Sequence, residues 1–185
     1  MSIIINRNTQ INGYQSDAVN KAVKNILRDI SKVFSKSNEA GNSISLVIGD
    51  QQNEEYNIYV NQTNKVLELQ ASNDLGFIYG LYEISRSILG VHNFWFWNDQ
   101  KFLPKEKEEL SSTYCFHSPS FKVRYRGWFV NDEVLIHTWK LEQSKEKPWE
   151  MVFEALLRCG GNMVIPGTDE NSKCYRKLAS SMGLY

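Results

Sequence analysis

The stretch Val123-Arg124-Tyr125-Arg126-Gly127-Trp128-Phe129-Val130 runs directly into Asn131-Asp132-Glu133, an apolar strand pattern that ends in an amide and two carboxylates. About a dozen residues further on, residues 149–159 read as a helix that leads through Gly160-Gly161 into a second apolar run, Asn162-Met163-Val164-Ile165-Pro166. Strand, helix, strand in this order is what a parallel α/β unit requires, because parallel neighbours need a long crossover. Polar groups at the C-terminal end of such a strand are also how a (β/α)₈ barrel presents its chemistry. A complete barrel needs about 250 residues, and the residues after Ser120 leave room for about two βα units. The pattern is therefore that of the beginning of a barrel.

The chain has 185 residues, enough for one domain and part of a second, and is 42% apolar, enough to bury a core. Lys and Arg total 21, equal to Asp and Glu, so the formal net charge is zero. Without a long-range positive field, nucleic acid is not an expected partner. No apolar run reaches the length that spans a bilayer, and the Ile3-Ile4-Ile5 triplet lacks the basic leader and long apolar core of a signal peptide. The expected setting is cytoplasmic, with no membrane partner. Cys115, Cys159 and Cys174 are odd in number and lack metal-ligand spacing, so they are expected to be reduced core thiols rather than a disulfide framework or a zinc site.

The earlier residues alternate strand and helix patterns. Residues 2–6 form a β-branched run, and Ser16 is placed to cap a helix over 17–34 whose Val19, Ala22, Val23, Ile26, Ile30 and Val33 recur at helical spacing. Strands are expected at 43–48, 56–60 and 65–70, the last two as a hairpin. A second helix over 74–89 contains Gly76 and Gly80, each costing roughly 1 kcal/mol against alanine, which points to close backbone packing. Residues 105–109 and 140–148 are charge-dense and read as surface connectors. Residues 1–115 are thus expected to form an α+β domain, a mixed sheet with two helices, and 116–185 the first βα units of a TIM barrel.

These residues resemble glycoside hydrolase family 115, the xylan α-glucuronidases. The likeness is carried by Asn73-Asp74-Leu75-Gly76-Phe77-Ile78-Tyr79-Gly80-Leu81-Tyr82, by Gly90-Val91 with the aromatic run from Phe94 to Trp97 and Asp99, by Pro119-Ser120 with Tyr125-Arg126-Gly127 and Asn131-Asp132-Glu133, and by Phe153-Glu154-Ala155-Leu156-Leu157-Arg158 with Asn162 and Pro166. The resemblance implies an inverting hydrolase of a polysaccharide, with no cofactor. After the second strand this chain has Gly167-Thr168-Asp169-Glu170 where the family usually carries tryptophans, so the architecture and reaction class transfer more fully than the sugar specificity.

Glycosidic cleavage needs a carboxylic acid and a second carboxylate, which makes Asp132 and Glu133 the catalytic candidates. Neighbours on a strand point oppositely, so one of the two is expected to face the sugar, in a role the sequence leaves open. Asn131, Trp97, His137 and Asp169 are the candidates for binding substrate. Trp95 and Trp97, if extended, would share a face on which a pyranose ring could stack, although packing is the expected role of Trp95. His92 and His117 have no partner at ligand spacing and read as structural or surface residues. No metal site is expected. Strands with open edges make a second copy of the chain an expected partner. The competing reading is a non-catalytic carbohydrate-binding or protein-interaction module.

Overall fold

The structure, a computed structural model, describes residues 2–131 and 133–185. Its elements are β1 (Ser2–Asn6), β2 (Ile11–Gly13), α1 (Asp17–Val33), β3 (Ile44–Ile48), β4 (Tyr56–Asn61), β5 (Val66–Ala71), α2 (Asp74–Ser87), β6 (Lys107–Ser111), β7 (Cys115–His117), β8 (Gly127–Phe129), α3 (Val134–His137), α4 (Glu146–Arg158), β9 (Met163–Ile165), α5 (Asn171–Cys174) and α6 (Arg176–Ser181). They divide into two compact units, Met1–Phe121 and Lys122–Tyr185.

The first unit is built on a mixed sheet of order β2-β3-β5-β4-β7. β2, β3 and β5 run parallel, while β4 is antiparallel to both β5 and β7. The β4–β5 hairpin is the one its alternating pattern predicts. One face of β4, with Tyr56, Ile58 and Val60, is buried. The opposite face is polar, and there Glu68 is buried only because Tyr59, Asn61 and Gln70 hydrogen-bond it. α2 packs on β4 and β5, and α1 packs on α2.

The α1 start is set by Ser16, whose Oγ accepts from Val19 N (3.2 Å) and donates to Asp74 Oδ2 (2.8 Å). One cap thereby ties the first turns of both helices. Asn73 caps α2 by accepting from Gly76 N at 2.9 Å. The two helical glycines have the expected cause: a Cβ at Gly76 would lie 2.8 Å from Glu55 O, and one at Gly80 would lie 2.3 Å from Leu69 Cδ1.

Several expectations change. The charge-dense 105–109 segment is not a connector throughout, because β6 pairs antiparallel with β1 and turns Leu110 into the core. Alternation of charged and apolar residues on a half-exposed strand looks, in sequence, like a solvated tether. Cys115–His117 also joins the first sheet, so the division between the units falls after Phe121. The aromatic run is a series of turns rather than an extended segment, which removes the shared face proposed for Trp95 and Trp97. Trp95 instead lies under Arg28, 4.5 Å from its ring centroid, and Lys32. All three cysteines are exposed thiols, not core residues.

In the second unit β8 and β9 pair in parallel, Gly127 opposite Met163 through Phe129 opposite Ile165, with α3 and α4 between them. The strand–helix–strand order is that of the sequence pattern, on shorter strands. β8 starts at Gly127 rather than near Tyr125 because Asn162 takes over the preceding backbone: its Oδ1 accepts from Arg126 N (2.8 Å) and its Nδ2 donates to Arg124 O (2.7 Å). α4 begins at Glu146, inside the predicted surface excursion, with Pro148 in its first turn, where a missing N–H costs nothing. Its buried face centres on Trp149, stacked on Tyr175 with centroids 4.5 Å apart. Tyr185 adds two further parallel-type bonds to β9, Val164 N to Tyr185 O (3.0 Å) and Tyr185 N to Asn162 O (2.8 Å). Among the described residues no helix is long and apolar enough to cross a membrane.

Candidate active site at the strand ends

The loops that follow β8 and β9 are joined through one carboxylate. Glu133, 2% exposed, accepts at Oε1 from Thr168 Oγ1 (2.6 Å), Thr168 N (3.1 Å) and Asn171 Nδ2 (3.2 Å). The approach is close enough to demand glycine at the next position along: Gly167 has φ +101°, and a Cβ there would lie 3.1 Å from Glu133 Cγ. Val130 N donates to Ile165 O (3.0 Å), so the ladder continues to the last residue before the loop. The main chain of Glu133 also starts α3, its carbonyl accepting from His137 N at 2.7 Å.

The hydroxyl of Thr168, then the backbone N–H groups of Glu133 and Thr168, and the Asn171 amide hold the Glu133 carboxyl down to about 2, against the opposing effect of burial. A group with so low a pKa is a carboxylate at neutral pH and carries no proton to give a leaving oxygen, the task for which hydrolases raise a carboxyl. Glu133 Oε2 and His137 Nδ1 are buried without a hydrogen-bond partner, one turn apart on the chain.

Of the residues expected to act, Asn131 is exposed in the turn after β8, His137 is half-buried at the end of α3, and Asp169 is exposed with φ +44° in the loop after β9. Asp132 lies outside the described residues. Trp97 belongs to the N-terminal unit, where it is 38% exposed and packs edge-on against Phe96, 5.2 Å between centroids. Thr168 and Asn171 did not stand out in the sequence. Their signal is the Gly-Thr pair directly after a strand-ending proline, a turn chemistry that sets a hydroxyl and an N–H side by side. Among the described residues no group of three or more His, Cys, Asp or Glu could hold a metal ion.

Residues 118–185, which contain this site, match the family described as Glycosyl hydrolase family 115. No curated protein matches the chain by sequence. Among solved structures, a novel family GH115 4-O-methyl-α-glucuronidase with specificity for decorated arabinogalactans superposes with a TM-score of 0.80 at 24% identity, over 99% of this chain and 29% of that one. The GH20 exo-β-N-acetylglucosaminidase of Vibrio harveyi (TM-score 0.56, 16% identity, 89% of this chain and 22% of that one) and the Flavobacterium johnsoniae chitobiase (0.55, 16%, 100% and 31%) share the fold more distantly. The chain spans less than a third of the length of each of these proteins. With the family pattern over 118–185 and the fold of a family GH115 enzyme across nearly all its residues, the chain resembles glycoside hydrolase family 115.

Proposed function

We propose that the chain is part of a glycoside hydrolase that removes a uronic-acid side group, of the 4-O-methyl-glucuronic acid class, from a plant polysaccharide. The observation that carries this reading is the family match over residues 118–185, which coincides with the loops joined by Glu133. β8 and β9 are the first two strands of a TIM barrel in this reading, and the loops after them lie on its active-site face. Asp132 is the carboxyl of the pair that meets substrate, whereas Glu133 fixes the loop that presents it. Asn131, His137 and Asp169, from the same two loops, are placed to bind sugar hydroxyls. The second carboxyl that hydrolysis demands belongs to another part of the enzyme.

The test is release of uronic acid from 4-O-methyl-glucuronoxylan and from decorated arabinogalactan by the gene's full-length product, with Asp132→Asn alongside. Release that falls by two orders of magnitude or more, about the contribution of one acid–base group, is the expected result. Binding of either polysaccharide without release would favour the non-catalytic module, and release unaffected by Asp132→Asn would remove this loop from the chemistry.

A further inference from the structure

The polar outer face of the five-stranded sheet holds a second group of reactive side chains, unrelated to the loops after β8 and β9. β7 is an edge strand of that sheet, and Cys115 and His117, two residues apart, project from the same face of it. Cys115 Sγ lies 3.3 Å from His117 Nε2, and His117 Nδ1 lies 2.7 Å from Asn57 Oδ1 on β4, where Asn57 is the cross-strand partner of His117. An amide oxygen can only accept, so Nδ1 carries the imidazole proton and Nε2 presents a lone pair to the thiol. Thiol, imidazole and amide thus stand in the order that activates a cysteine nucleophile: an adjacent base, itself oriented by a third group. Cys115 and His117 are both exposed, so an electrophile can reach the sulfur. The neighbouring Tyr59, opposite Cys115 in register, is engaged by Glu68 and Gln70 and does not compete for the imidazole.

We propose that Cys115 is an activated thiol site, with His117 as its base and Asn57 as the residue that orients the imidazole, and that it takes the disulfide of a low-molecular-mass thiol. An edge strand offers no walls to select an acyl group by shape, whereas thiol–disulfide exchange asks only for in-line approach of the sulfur atoms. The Cys115 proton passes to His117 Nε2, and the thiolate attacks one sulfur of the disulfide. A Sγ–S bond forms as the S–S bond breaks, and the departing thiolate takes the proton back from Nε2. Cys115 ends oxidised as a mixed disulfide, and half of the small disulfide is reduced to its thiol. The site is independent of the glycosidase reading.

Oxidised glutathione is the probe, added to the purified 185-residue chain, with peptide mass spectrometry following each cysteine. Cys159 and Cys174 are exposed and serve as internal controls; Cys174 Sγ lies 3.9 Å from the carbonyl oxygen of Glu170. At pH 7 Cys115 is expected to react about tenfold faster than either, because the imidazole beside its sulfur can take the proton as the disulfide is attacked. His117→Gln removes that advantage. Asn57→Ala reduces it while Asn57→Asp retains it, because a carboxylate also accepts from Nδ1. Unchanged circular dichroism and an unchanged thermal midpoint report that the variants are folded. Equal rates at all three cysteines, or a fast Cys115 in His117→Gln, would overturn the proposal. Selectivity for Cys115 with iodoacetamide but not with the disulfide would overturn the assignment of the electrophile.

Discussion

Glu133, a catalytic candidate in the sequence, also joins the loops after β8 and β9. Four hydrogen-bond donors act on its carboxyl and hold its pKa at about 2. Since that value is depressed below the 4.5 of an unstrained glutamate, the linkage runs in one direction: the carboxylate's contribution is complete above about pH 4.5 and is lost as the pH falls toward 2. Thermal midpoints of the wild-type chain and of Glu133→Gln should therefore differ most above pH 4.5 and converge as the pH approaches 2. Parallel curves over that window would mean that Thr168 and Asn171 do not hold the carboxylate as described. Sequence alone had no means of showing this environment of Glu133, because it comes from Thr168, 35 residues away in the chain.

At the scale of elements, glycines mark where backbones touch. A Cβ at Gly127 would lie 2.2 Å from Met163 O, part of the facing strand's main chain, whereas one at Gly80 would meet the end of the Leu69 side chain at 2.3 Å. A side chain can turn aside and a carbonyl in a ladder cannot. Gly127→Ala should accordingly cost more than Gly80→Ala, with the former at or above the ~1–3 kcal/mol typical of overpacking. Urea unfolding of the two variants measures the order, and an equal or reversed cost would count against the close β8–β9 pairing. The helices were legible from their apolar stripes and, for α1, from the Ser16 cap, whereas the Asn73 cap of α2 came from the structure. β6 and β7 were not, because each is short and earns its place only through the strand it pairs with, β1 or β4.

For the whole molecule, the second unit leaves apolar surface uncovered. Among the described residues β8 pairs with β9 alone, Phe129 and Ile165 are about half exposed, and a groove of about 430 Å³ opens beside β9 between Ile165, Ala179, Leu184 and Tyr185. Unpaired strand edges and apolar patches of this kind are what a second copy most often covers, by using the same patch twice. We propose that the purified 185-residue chain self-associates through this face. Light scattering at micromolar concentration should give a mass above that of the monomer which falls on dilution. A monomer with no drift in mass would show that the face is covered within one chain.

Sequence alone determined what local periodicity and chemistry can carry: the two long helices and the Ser16 cap, the β4–β5 hairpin, the tight glycines of α2, and the strand–helix–strand order whose first strand runs into Asn131-Asp132-Glu133. Apolar spacing and capping act within a few residues, so they are written in the order of the letters. The tertiary structure decided what depends on partners distant in the chain. It buried Glu133 under Thr168 and Asn171, and it made the charged 107–111 segment a strand through β1. It also set Cys115 and His117, which read as a core thiol and an isolated histidine, beside an asparagine 60 residues away. Hydrogen bonding is directional and short-ranged, and a chain brings such groups within reach only once its sheet register is set.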